Sequence, residues 1–230
     1  MKAKKIFNAL ILAVLFITSA GAMMVSKKIV SEPKLIVIDP GHGGQDGGAV
    51  GYRGISEKDI VLAIGKKLKG FLEQAGYEVL MTRTSDYDLA GEGSLNRKRD
   101  DIHKRTEMIN SSRCLLYVSI HANKFADPNV YGAQVFYKPA SEESRELAEA
   151  VQEAIKALLQ NTHRFAKSIT DKYLIDNANK TGCLVEVGFL SNPEEARMLT
   201  DEFYQERLAY AIFLGIASYV DRNKYQANVA

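Results

Sequence analysis

The sequence predicts an α/β fold, a three-layer αβα sandwich around a mostly parallel sheet. Two observations carry this prediction. Short apolar runs of strand length alternate with longer stretches in which apolar residues recur every three or four positions, the order typical of βαβ units. The run at residues 35–38 consists of four consecutive branched apolar residues, which indicates a strand buried on both faces. No internal repeat or second domain is evident.

The individual elements follow from the same patterns. Strands are predicted at residues 35–38, 77–82, 114–120, 134–138 and 183–187. Helices are predicted at residues 56–75, 97–110, 142–159 and 203–219, with a shorter one beginning at 192–193. Ser56 is a favourable N-cap for the first helix, Asp59 gives a weak form of the capping box, and Gly76 ends that helix.

Composition limits the classes of function. A chain of 230 residues that is 46% hydrophobic is large enough to bury one good core. Thirty basic and 28 acidic side chains nearly balance, and no basic tract interleaved with aromatic residues is present. We therefore expect no nucleic-acid partner.

The N-terminus predicts export. Lys2, Lys4 and Lys5 precede an apolar run at residues 6–25, which reads either as a cleaved signal peptide or as a membrane anchor. We expect a leader or anchor at residues 1–26, a tether at 27–33, a catalytic domain at 34–222 and a C-terminal tail at 223–230. The rest of the chain would lie at the outer face of the cytoplasmic membrane or beyond it, with membrane contact through the N-terminus only.

The two cysteines, Cys114 and Cys183, lie at the start of apolar runs and lack any C-x-x-C spacing. We expect both to be buried free thiols, and a disulfide between them remains the alternative.

Two histidines follow predicted strands. His42 follows residues 35–38 on a glycine-rich loop, and His121 follows residues 114–120 directly. In a parallel sheet both would emerge at the carboxyl edge, where α/β proteins place ligands. A phosphate-binding G-x-G-x-x-G motif fails because Asp46 stands where its last glycine is required. A simple turn with a capping histidine remains an alternative to a metal ligand.

Two glutamates complete a candidate site. Glu57, in the first turn of the helix after the glycine-rich loop, makes a three-ligand set with His42 and His121 that suits zinc and leaves a fourth position for water. Acidic residues are also common in first helical turns for electrostatic reasons alone. Glu186 interrupts an apolar strand, where burying a carboxylate costs free energy unless the group is paired. We expect Glu186 to act as a general base. The remaining histidines, His103 and His163, are expected to be solvent-exposed.

This set of residues predicts zinc-dependent hydrolysis of an amide bond. The sequence does not support catalysis by a serine or cysteine nucleophile, since no Gly-x-Ser-x-Gly motif is present and neither cysteine has a neighbouring histidine in sequence.

At these residues the sequence resembles the zinc-dependent N-acetylmuramoyl-L-alanine amidases. The resemblance covers residues 35–220 and rests on four motifs: Ile-Asp-Pro-Gly-His-Gly-Gly at 38–44, Ser-Glu-Lys-Asp at 56–59, Ser-Ile-His-Ala-Asn at 119–123 and Val-Glu-Val-Gly-Phe-Leu-Ser-Asn at 185–192. It implies a zinc hydrolase fold with a six-stranded sheet. It also implies that zinc is held by His42, Glu57 and His121 and that Glu186 is catalytic. Asn123 and Arg105 are candidate substrate contacts.

Within the family, the sequence is most similar to the sporulation amidases. This implies trimming of spore-cortex peptidoglycan so that muramic-δ-lactam can form before germination, with the help of an accessory or activator protein. The alternatives are a peptidoglycan-binding amidase-like protein with weak turnover and another zinc hydrolase of cell-wall peptides.

Overall fold

The computed structural model describes residues 34–229, and within this range six strands form a mixed sheet in the order β2-β1-β3-β6-β4-β5. The predicted leader and tether lie outside the described residues. The strands are β1 (Leu35–Pro40), β2 (Glu78–Met81), β3 (Leu116–Asn123), β4 (Gln134–Tyr137), β5 (Lys167–Ser168) and β6 (Gly182–Phe189).

Most of the sheet is parallel. Strand β1 pairs in parallel with β2 and β3, and β3 pairs in parallel with β6. Strand β4 runs antiparallel to β6 and parallel to β5. The predicted mostly parallel sheet is confirmed, and the carboxyl ends of β1, β3 and β6 lie side by side at one edge.

Helices cover both faces of the sheet. They are α1 (Glu57–Gln74), α2 (Arg97–Ser111), α3 (Glu142–Leu159), α4 (Tyr173–Asn177), α5 (Pro193–Leu199) and α6 (Glu202–Val229), and a short 3-10 turn spans Tyr52–Gly54. Helix α6 packs against α1 and α3, whereas α2 packs against α4. This arrangement confirms the three-layer αβα sandwich.

Alternation along the strands divides the apolar core in two. Ile36 and Ile38 of β1 join the larger cluster with residues of α1, α3 and α6, whereas Val37 joins a smaller cluster on the other face. The smaller cluster also holds Tyr117 of β3 and Leu184 of β6. Further along these strands, polar side chains on this second face therefore point towards the smaller helical layer formed by α2 and α4. The packing between that layer and the sheet leaves a cavity.

The structure differs from the sequence prediction at four places. The two-residue strand β5 and the five-residue helix α4 were not predicted, because elements this short carry no measurable periodicity. The last helix continues to Val229 through most of the predicted tail. Ser56 is the N-cap of α1, but its side chain does not cap the helix, and its hydroxyl donates to the Gly47 carbonyl at 2.9 Å instead.

Cys114 and Cys183 are both buried and free, as predicted. Among the helices of the described residues, none is both long enough and apolar enough to cross a membrane.

Candidate metal centre

The parallel pairing of β1 with β3 brings His42 and His121 together, as the sequence predicted. His121 lies in β3, and His42 lies two residues beyond β1 with a left-handed backbone φ of 59°. Their imidazole rings meet edge to face with centroids 5.1 Å apart. The two nitrogen ligands expected at the carboxyl edge of the sheet therefore face a common point.

Glu57, the first residue of α1, lies between the two rings with only 4% of its surface exposed. Its Oε1 is 3.2 Å from His42 Nε2 and 2.9 Å from His121 Nδ1. The Ala122 amide donates to Oε1 at 3.0 Å, and the Ala49 amide donates to Oε2 at 2.7 Å. Burial alone would raise the pKa of Glu57, but the two imidazoles outweigh it and lower that pKa well below the usual value. Glu57 is thus held as a carboxylate.

The donor set fits zinc. One ligand atom from each of His42, Glu57 and His121 lies within 4.8 Å of the other two. Tetrahedral zinc with ligand bonds of about 2.0–2.1 Å brings neighbouring ligand atoms to roughly 3.3 Å of one another. The Glu57 contacts of 3.2 and 2.9 Å are close to that separation.

Asp46 supports this assignment, although its sequence position had served only to exclude a phosphate site. Its Oδ2 lies 2.8 Å from His42 Nδ1. With Nδ1–H donated to Asp46, the Nε2 lone pair of a neutral His42 faces the Glu57 carboxylate, so that two acceptors confront each other unless a proton or a metal ion lies between them. Burial alone would lower the pKa of His42, but Glu57 and Asp46 raise it. A positive charge at this site is therefore energetically favourable, and a metal ion would supply it.

Two glycines permit the close packing of these side chains. A Cβ on Gly41 would lie 2.2 Å from His121 Cε1, so the ring occupies the space that any other residue would fill. A Cβ on Gly48 would lie 2.5 Å from Glu57 Oε2, and Gly48 has a left-handed φ of 67°. The glycine-rich loop is thus required by the crowding around the three ligands.

Glu186 lies on the same face of the sheet as Leu184 and pairs in register with His121 across β3 and β6. Its Oε2 is buried and has no hydrogen-bond partner among the described residues. Burial raises the pKa of Glu186, and the partial opposition of nearby cations does not cancel that effect. An unpaired carboxylate of this kind is suited to accept a proton.

The two histidine ligands and Glu186 line a cavity of about 310 Å³ between the sheet and the α2–α4 layer. Apolar side chains form one part of its remaining wall: Ile102, Leu174, Ile175 and Leu184. Charged side chains form another part, among them Lys98, Asp101, Asp171 and Lys172. The rings of Tyr173, which also lines the cavity, and His103 on α2 stack with centroids 4.2 Å apart. His103 and His163 are both exposed, as predicted.

The two candidate substrate contacts lie in different settings. Asn123 is half-buried at the end of β3, and its side chain accepts from the Lys124 amide at 2.7 Å. Arg105 lines the cavity, but it is 1% exposed and its guanidinium donates to Asp39, Asp101 and backbone carbonyls. Substrate binding by either residue stays a prediction.

Comparison with known proteins agrees with this site. Residues 36–218 match the family model described as N-acetylmuramoyl-L-alanine amidase (Amidase_3). The chain is 44% identical over 189 residues to the germination-specific N-acetylmuramoyl-L-alanine amidase of Bacillus subtilis, covering 81% of this chain and 79% of that protein.

Solved structures give the same result. The CwlD amidase from Clostridioides difficile, solved in complex with the GerS lipoprotein, superposes with a TM-score of 0.79 at 40% identity, covering 82% of this chain and 98% of that one. AmiC2 of Nostoc punctiforme superposes with a TM-score of 0.72 at 32% identity, covering 81% and 97% respectively. Sequence, fold and the converging His-Glu-His set thus show that the chain belongs to the N-acetylmuramoyl-L-alanine amidase family.

Proposed function

We propose that this chain uses zinc to hydrolyse the amide bond between the lactyl group of muramic acid and the L-alanine of the stem peptide, in spore-cortex peptidoglycan. The observation that carries the proposal is the convergence of His42, Glu57 and His121. His42 and His121 also line the cavity that holds the unpaired Glu186.

His42, Glu57 and His121 would hold the zinc ion. When bound, zinc lowers the pKa of a coordinated water to about 7 and polarises a substrate carbonyl. Asp46 fixes the tautomer of His42 so that Nε2 is the ligand atom. The amides of Ala49 and Ala122 keep Glu57 oriented.

Glu186 would act as the general base and then as the general acid. Its raised pKa makes the carboxylate a better proton acceptor than an ordinary glutamate. After taking a proton from the attacking water, Glu186 would deliver it to the nitrogen of the L-alanine, which leaves as an amine.

A role in germination is supported by the similarity to the Bacillus subtilis relative, which is a germination-specific amidase. The product expected from cortex peptidoglycan is muramic acid freed of its peptide, the precursor that muramic-δ-lactam formation requires. The chain would reach this substrate through export, with residues 1–26 as the leader or anchor.

An accessory protein is supported by the Clostridioides difficile relative, which was solved with a lipoprotein bound. We propose that this chain also works with a partner at the outer face of the membrane. Full activity of the purified chain alone on cortex fragments would contradict this part of the proposal.

Mass spectrometry of reaction products tests the function. The full chain is incubated with spore-type and vegetative peptidoglycan, with and without a chelator, beside a Glu186→Gln variant. We expect intact stem peptide and intact glycan from cortex, and neither with chelator or the variant. Binding without any product would favour an amidase-like binding protein, and cleavage within the peptide would favour another zinc hydrolase.

A further inference from the structure

Two arginines are buried beneath the loop that carries His42. Arg83 is 0% exposed and Arg105 is 1% exposed, and they are among the largest fully buried side chains of the described residues. Together they donate hydrogen bonds to the backbone carbonyls of three successive residues, at positions 40, 41 and 42. Every carbonyl of the segment that leads from β1 into His42 is therefore held by a guanidinium group.

Arg83 connects this loop to the helix that carries Glu57. Its Nη2 donates to the Gly41 carbonyl at 2.9 Å and to the Lys58 carbonyl at 2.7 Å, and its Nε donates to the Pro40 carbonyl at 3.0 Å. Lys58 follows Glu57 directly in the first turn of α1. One planar side chain thus fixes the distance between the backbones that present two of the ligands.

Arg105 connects the loop to the strand that carries His121. Its Nη2 donates to the His42 carbonyl at 2.6 Å, and its Nη1 donates to Asp39 Oδ1 at 2.8 Å. The other carboxylate oxygen of Asp39 accepts from the Ser119 hydroxyl at 2.7 Å, and Ser119 precedes His121 by two residues in β3. The buried Asp39–Arg105 pair therefore joins His42 to β3.

The backbone of His42 needs such support. Its φ of 59° lies in the left-handed region, which a residue other than glycine adopts rarely and keeps only when its surroundings hold it there. Charge-assisted hydrogen bonds from guanidinium groups to carbonyls are stronger than neutral ones and have defined directions.

We propose that Arg83 and Arg105 are positioning residues for the metal ligands. Through backbone carbonyls and Asp39 they hold His42 in register with Glu57 and His121 before the ion binds. This inference rests on the metal centre of the proposed function, but it concerns metal affinity and not the bond that is cleaved.

The test measures zinc affinity by competition with a chromogenic chelator, using the folded full chain. Arg83→Lys and Arg105→Lys keep the charge but lose the planar fork, and Ser119→Ala removes a single hydrogen bond to Asp39. Arg99→Met, on the exposed face of α2, is the matched control because Arg99 is 62% exposed. Denaturant unfolding of the metal-free proteins is measured in parallel.

We expect zinc to bind about 10- to 100-fold more weakly to each lysine variant. For Ser119→Ala we expect a loss of about two- to tenfold. The control should bind like the wild type. These losses should persist under conditions in which every protein is fully folded, which a purely structural role would not produce.

Unchanged zinc affinity in folded variants, with only the unfolding midpoint lowered, would overturn the positioning role while leaving the proposed function intact. If the lysine variants do not fold, Ser119→Ala decides, and wild-type affinity in that variant overturns the inference. Absence of zinc binding by the wild type would overturn the metal centre of the proposed function, and the positioning role with it.

Discussion

The Nδ1 atom of His121 lies 2.9 Å from Oε1 of Glu57, although 64 residues separate them along the chain. The contact exists because β3 is the parallel neighbour of β1 and because α1 begins close to the carboxyl ends of both strands. The order of the strands in the sheet therefore brings the residues of the metal centre together.

Replacing Glu186, the proposed general base, separates the effect on the reaction from the effect on metal binding. Glu186→Gln keeps the shape of the side chain but removes its ability to accept a proton, so we expect bound zinc to remain and turnover to fall about a hundred- to ten-thousand-fold. Metal content and kcat on muropeptides are measured, with Glu107→Gln, exposed on α2, as the control. Near-normal turnover in Glu186→Gln would remove Glu186 from the reaction.

Asp46 is expected to tune His42. Asp46→Asn loses the carboxylate that faces Nδ1 at 2.8 Å, so His42 becomes a weaker and less well-oriented ligand. Zinc affinity should fall about 10- to 100-fold. Asp59→Asn, exposed on α1, is the matched control. Equal affinities for the Asp46 variant and the wild type would show that the contact does not support the metal.

Asp39 is expected to stabilise the fold in a pH-dependent way. Burial alone would raise the pKa of Asp39, but Arg105, Thr82 and Ser119 outweigh it and lower that pKa in the folded protein. The stabilisation is therefore fully present above the unfolded pKa of about 3.9 and is lost as the pH falls through the folded value.

Asp39→Asn leaves the buried Arg105 without its partner, and we expect it to lower the free energy of unfolding by about 3 kcal/mol at neutral pH. Denaturant unfolding of the metal-free protein is measured from about pH 7 down to about pH 3. The difference between the variant and the wild type should shrink below about pH 4. A difference that stays constant throughout this range would contradict the role of the ionised pair.

Gly41 tests the crowding of the centre. In Gly41→Ala the added methyl group would meet the His121 ring at 2.2 Å, so the ring must move and the metal site must distort. We expect at least about a tenfold loss of zinc affinity. Gly70→Ala is the control, since nothing lies within 4 Å of its Cβ, and a helical alanine is expected to be neutral or slightly stabilising. Full affinity in the Gly41 variant would contradict the described packing.

The site residues could be predicted from the sequence because each strand-borne one is marked by the residue pattern immediately around it. His42 comes two residues after β1, His121 lies near the carboxyl end of β3, and Glu186 interrupts the apolar run of β6, so ordinary strand patterns point to all three. The short elements β5 and α4 give no such signal, although α4 supplies part of the cavity wall.

The hydrogen bonds that hold the ligands in place were harder to predict from the sequence. Arg83 follows an edge strand in sequence and looks like an ordinary surface arginine, and its partners are backbone carbonyls that no residue pattern encodes. Asp46 is the fourth residue after His42, but this spacing alone does not predict a contact between the two side chains. The contact depends on the conformation of the loop, which the structure shows.

Zinc content measured together with amidase activity tests the central claim most directly. Wild type, His42→Ala, His121→Ala and the exposed-histidine control His163→Ala are purified under the same conditions, and each is assayed for bound zinc and for stem-peptide release. One zinc per chain and equal rates of stem-peptide release are expected for the wild type and the control, and loss of both zinc and release for His42→Ala and His121→Ala. A His121→Ala protein that keeps stoichiometric zinc and releases stem peptide at the wild-type rate would contradict the assignment of the centre.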